Sequence, residues 1–111
     1  MTTWEIYIMG YIYGYVTSII DYTDEEDKSG NRLSKASRNP AQGFADIMTR
    51  LRRTKRLTEG VNNKITLLSN EVESINEDMI TTIEQGHWQI GYHHARNGKS
   101  PEFNGRTLTL D

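Results

Sequence analysis

Ile6, Met9, Tyr13, Val16 and Ile20 recur at intervals of three and four along the first segment of the chain. That is the periodicity of a helix with one apolar stripe, and it predicts a helix over residues 3–21. Phe44, Ile47, Met48 and Leu51 repeat the pattern and predict a helix over 40–54, with Arg50, Arg53 and Thr54 turned away from its buried stripe. The clearest amphipathic run is Leu57, Val61, Ile65, Leu68, Val72 and Ile75, which predicts a long helix over 57–75. A fourth helix is predicted over 82–96.

Punctuation between the runs agrees with these bounds. Asn39 caps free amides ahead of Pro40, whose missing donor is no loss at a first helical position. Thr81 with Glu84 three residues later forms a capping box. Asn97-Gly98 stops the last helix and Ser100-Pro101 opens a tail expected to be flexible. Thr107 to Leu110 alternates like a strand but is too short to make a sheet alone. The expected architecture is all-α: a compact bundle of about four to five helices forming one domain over 1–96, with a C-terminal tail over 97–111.

Gly10 and Gly14 stand four apart on the first helix, each costing about 1 kcal/mol relative to Ala unless something compensates. Close approach of another helix is the expected compensation. The same spacing marks membrane dimers, but the uncharged run from Ile6 to Ile20 is tyrosine-rich and short of the roughly 20 residues that span a bilayer. Nor does a basic segment precede it, as in a signal peptide. A soluble, cytoplasmic protein is expected, without a membrane partner. Cysteine is absent, which excludes disulfides, thiolate metal sites and a cysteine nucleophile.

Charge changes the picture more than composition does. The chain carries a formal charge of −2. Ten of its thirteen basic residues nevertheless lie between Lys28 and Lys64, against only Asp46 and Glu59, so a middle of +8 separates flanks that total −10. The densest part is Arg50, Arg52, Arg53, Lys55 and Arg56, with Arg32, Lys35 and Arg38 upstream. Such a local field attracts a polyanion or an acidic protein surface, unless these side chains simply make a solvated helix face. Asp24, Glu25, Glu26 and Asp27 read as an exposed acidic loop, without the ligand alternation of a calcium loop.

Candidate chemistry is sparse. Glu84 and His87 have the Glu-x-x-His spacing of di-iron bundles, but such a site needs two of these motifs and two more glutamates. His87, His93 and His94 are therefore expected to pack, cap or hydrogen-bond. The chain has no nucleophile elbow and no phosphate-binding glycine loop. Neither a cofactor, a metal nor a catalytic residue is expected.

Glu84-Gln85-Gly86-His87-Trp88-Gln89-Ile90-Gly91-Tyr92-His93-His94-Ala95-Arg96 resembles the closing helix of the large subunit of type I-C CRISPR Cascade. Tyr7 to Gly14 resembles the apolar helix that opens that subunit's C-terminal domain, and Arg32 to Ala41 its Ser/Ala-rich turn before a Pro-started helix. The resemblance spans residues 4–96 through segment order and short motifs. In that family the same helical domain is also made as a separate small subunit. The resemblance implies a non-enzymatic component of the complex that packs on the crRNA-bound backbone subunits and the large subunit, supports target or non-target DNA, and associates with copies of itself along the complex. On that reading Arg50, Arg52, Arg53, Lys55 and Arg56 are the first candidates for contacts to DNA or crRNA phosphates, with Arg32, Lys35 and Arg38 second. The acidic loop and the tail depart from the family pattern. They leave open an alternative, a phage or mobile-element anti-CRISPR decoy that mimics this domain and blocks Cascade assembly or DNA binding.

Overall fold

The computed structural model describes residues 1–20, 31–75 and 78–110; the acidic stretch from Asp24 to Asp27 lies outside them. The elements run α1 (Thr3–Ile19), α2 (Asn31–Arg38), α3 (Pro40–Thr54), α4 (Glu59–Ser69) and α5 (Thr82–Arg96), closed by a two-stranded hairpin of β1 (Glu102–Phe103) and β2 (Arg106–Thr107). The molecule is a helical bundle built around α1.

That central place corrects the expectation of a single apolar stripe. Tyr7, Ile8, Tyr11 and Ile12 fall off the predicted stripe and are buried along with Ile6, Met9, Tyr13 and Val16, so α1 is covered on every side from Trp4 to Gly14. A helix apolar all round has no solvent face to offer and becomes the core itself. α5 crosses it along Gly10, Gly14 and Gly91: a Cβ on Gly10 would sit 2.7 Å from the Trp88 carbonyl carbon, and one on Gly91 would sit 2.8 Å from the Tyr11 amide nitrogen. The close helix approach expected at the glycine pair is present. α3 covers α1 elsewhere with buried Ile47 and Leu51, and α4 contributes Ile65 and Leu68.

Capping follows the sequence closely. The Asn39 side chain accepts from the Gln42 amide with Pro40 next to it, and Thr81 and Glu84 close their capping box. A second capping box, Thr2 with Glu5, starts α1. α5 ends where Gly98 was expected to stop it, with the Lys99 amide donating to the His94 carbonyl and the Gly98 amide to Ala95. This pair of bonds satisfies two carbonyls that the last turn leaves free.

Three segments differ from expectation. Residues 32–41, expected as a turn before α3, contain most of α2. Its Ala36 is buried against Gly43 of α3, where an added Cβ would lie only 2.6 Å from the Ala36 methyl. The helix expected over 57–75 is confined to 59–69. Thr58 caps it, accepting from the Val61 amide, and the chain leaves the helix after Asn70. Beyond that point Val72 still packs on the core, but Ile75 is 46% exposed. Instead, Glu71 accepts from the Trp4 indole at 3.2 Å, and the Glu73 amide donates to the Glu5 carboxylate at 2.9 Å.

The tail differs most. Asn104 and Gly105 both take positive φ, 52° and 79°, making the tight turn of the hairpin. Such a turn matches the right-handed twist of the flanking strands. Pro101 is fully buried, Phe103 stacks on Tyr7 with ring centres 4.9 Å apart, and Leu108 and Leu110 pack on the core. The hairpin is a cover for α1. Among the described residues no helix is long and apolar enough to cross a membrane.

Glu5 ties α1 to the 71–75 segment through the Glu73 amide. Burial opposes its ionisation, but hydrogen bonds from the Thr2 amide and hydroxyl and from the Glu73 amide outweigh it and hold the carboxyl below its ordinary value of 4.5. A lowered folded-state pKa contributes stability that is fully present above 4.5 and is lost as pH falls through the folded value. Glu5→Gln should cost about 1–2 kcal/mol at neutral pH. It should also flatten the loss of stability below pH 4.5, read by urea unfolding at successive pH values. An unchanged acid slope in the variant would exclude Glu5 as a source of it.

Candidate nucleic-acid interface

Ile47 and Leu51 face inward on α3, so the outward stripe is Gln42, Ala45, Asp46, Thr49, Arg52 and Arg53, all exposed. The two arginines sit in the last turn, where cations also complement the negative end of the helix dipole. Arg50 is half-buried at the edge of this stripe. Lys55 follows at the cap in a left-handed conformation, φ 59°, and is exposed. Arg52, Arg53 and Lys55 thus project together from one end of α3.

Arg56 is close by but is held differently. Its Nη1 donates to the Ile19 carbonyl at 2.7 Å, satisfying a carbonyl in the last turn of α1, which has no basic residue of its own there. This bond gives Arg56 a structural duty, joining the α3–α4 connection to α1. A phosphate would compete with it.

The second basic group stands apart. Arg32, Lys35 and Arg38 are exposed on α2. Arg32 and Lys35 line a shallow cavity of about 230 Å³ together with Gln42 and Asp46, so a carboxylate shares their space. Asp46 and Arg53 are seven residues apart on one face of α3, about 10 Å along the axis. The eight candidate residues therefore form two patches. Among the described residues the end of α3 is the more purely positive.

Each histidine has a packing or hydrogen-bonding role. His87 meets the Phe103 ring edge-on, His93 meets Tyr92 likewise, and His94 Nδ1 hydrogen-bonds the Tyr7 hydroxyl at 2.7 Å. Glu84 is engaged by the Thr81 amide. Among the described residues no group of three His, Asp or Glu side chains is placed to hold a metal ion.

The sequence reading missed the aromatic column beneath the hairpin. Trp4, Tyr7 and Phe103 stack in succession, with the Arg106 guanidinium 4.7 Å from the Trp4 ring centre and paired to Glu71 at 3.3 Å. The Tyr7 hydroxyl accepts from the Glu102 amide and shares a second hydrogen bond with His94 Nδ1. Burial pushes the Tyr7 hydroxyl above its ordinary pKa. Burial, with Tyr7 and Tyr15 nearby, pushes Tyr11 to about 12, and its hydroxyl donates to the Lys99 carbonyl. Asn104-Gly105 was the available signal for this hairpin. No protein-family model, curated protein or solved structure matches the chain.

Proposed function

We propose that this chain is a non-enzymatic, small-subunit-like component of a type I-C CRISPR Cascade complex that holds a nucleic-acid backbone on the basic end of α3. The observation that carries the reading is the outward projection of Arg52, Arg53 and Lys55 from one helix end, exposed to a partner's phosphates. Phosphate contact needs accessible cations and no particular base-reading geometry, because the guide's base pairing supplies sequence specificity in such complexes. The glycine-bearing crossing of α1 and α5 lies in the two segments that carry the resemblance. The outer face of α5 also exposes Ile83 and Ile90, two turns apart, as an apolar surface for packing on a backbone subunit.

Adding the protein to a type I-C complex deprived of its own small subunit should restore binding to target DNA, with an affinity that falls steeply as salt rises. The double variant Arg52→Glu, Arg53→Glu should still fold, since both side chains are exposed, with a melting temperature lowered modestly by reversing two charges that complement the helix dipole. It should lower the slope of log affinity against log salt by about two, the loss of two phosphate contacts. No restoration by the wild-type protein would refute the subunit role. Reduced DNA binding by an already complete complex would assign the chain to the decoy alternative, and failure to bind any Cascade component would remove both.

A further inference from the structure

A groove of about 600 Å³ opens between α1, α4 and the C-terminal hairpin. That volume lies within the range of small-molecule sites. One wall is aromatic, formed by Tyr11 and Tyr15 one turn apart on α1. Lys64 of α4 and Lys99 beyond α5 also line the groove, two cationic residues beside the aromatic wall. Neither is paired with a carboxylate among the described residues, although Glu102 lines the same groove. Lys64 Nζ stands 6.0 Å from the centre of the Tyr15 ring, the outer limit of a cation–π contact, so its stem is free to turn toward another charge. The amides of Ser100 and Thr109, on the hairpin side, have no hydrogen-bond partner among the described residues.

We propose that this groove binds a nucleoside phosphate, with the base against Tyr15 and the phosphate between Lys64 and Lys99. A bare phosphate would leave the aromatic wall unused, and a neutral aromatic compound would leave both ammonium groups unanswered. A nucleotide satisfies the two together. Stacking on an aromatic side chain and charge-assisted bonds to an ammonium group are each substantial contributions to affinity. The site does not depend on the Cascade reading. The same chemistry is presented by a free nucleotide and by one nucleotide of a single strand.

Amide chemical shifts of the isotopically labelled protein distinguish these sources. The probes are dAMP, deoxyadenosine, inorganic phosphate and an oligodeoxyadenylate of about ten nucleotides. Saturable shifts at Ser18, Lys64, Lys99 and Thr109 are expected, tighter for dAMP than for phosphate or deoxyadenosine. Lys64→Glu, an exposed position that leaves folding intact, should weaken dAMP roughly tenfold or more. Tyr15→Leu, which keeps an apolar side chain at this half-buried site, should reduce dAMP binding to that of phosphate. Groove shifts from dAMP alone assign the free nucleotide, and groove shifts that are tighter with the oligomer assign a strand. Phosphate binding as tightly as dAMP, no groove shifts with any probe, or unchanged affinity in Lys64→Glu overturns the proposal.

Discussion

Gly10→Ala and Gly91→Ala should each lower the free energy of unfolding by about 3 kcal/mol or more, measured by urea unfolding with tryptophan fluorescence as the signal. The usual cost of overpacking comes from side chains that shift to admit a methyl group. Here the obstacle is backbone. An added Cβ at Gly10 meets the carbonyl of Trp88, and one at Gly91 meets the carbonyl of Tyr7, so neither can be relieved by a rotamer change. The helices must separate, and separation weakens the packing of buried Trp88 with Tyr13 along the seam. Gly86→Ala supplies the control, because the same helix α5 has nothing within 4 Å of that position. It should be neutral or stabilising by up to about 1 kcal/mol, the difference in helix propensity. The double variant Gly10→Ala, Gly91→Ala should cost less than the sum of the two, since the first methyl already opens the crossing that the second would strain. A Gly91→Ala protein as stable as the wild type would mean that α1 and α5 do not approach this closely.

Tyr7→Ala should be comparably severe, about 4 kcal/mol, and should also release the hairpin. Tyr7 has no solvent exposure and carries three loads: stacking with Trp4 at 5.6 Å, stacking with Phe103 at 4.9 Å, and the hydroxyl shared by His94 and the Glu102 amide. Tyr7→Phe separates the ring from the hydroxyl. It keeps the column but leaves a partly buried amide and imidazole without their partner, at about 1–2 kcal/mol. Hydrogen exchange locates the effect. In Tyr7→Ala the Leu108 amide, which donates to the Pro101 carbonyl across the hairpin, should lose protection well before amides of α3. If hairpin exchange in Tyr7→Ala matches the wild type, Tyr7 is not what holds the cover down.

The sequence foretold α3 and α5 to the residue because their signals are local: Asn39-Pro40 and Thr81 with Glu84 satisfy amides within one turn of themselves. Gly10 and Gly14 were legible for a related reason, since two helix-weakening residues on one face imply a neighbour. α4 was overextended because its periodicity continues through Val72 and Ile75, whereas its end is set by Glu5 and Trp4, which claim residues 71 and 73 from 67 or more positions away. α2 escaped notice because it spans only eight residues with two apolar positions, Leu33 and Ala36, too few to establish a repeat. Within the candidate interface, the exposure of Arg53 followed from the inward phase of Ile47 and Leu51, whereas Arg50, expected to turn away with it, is half-buried. The engagement of Arg56 did not follow, because its carbonyl partner is 37 residues upstream.

The placement of α1 governs how this protein must fold. Its principal cover, α5, lies at the other end of the chain, and the hairpin that closes over Tyr7 is 95 residues away from it. An apolar helix whose main cover is made much later in the chain stays open to solvent until that cover is available. Such distant closure slows folding and lengthens the interval in which apolar surface is exposed to other chains. During synthesis at about 5–20 residues per second, α1 would wait several seconds for α5. Yield should therefore depend on the rate at which the last third of the chain is made and on chaperones that shield α1 until then.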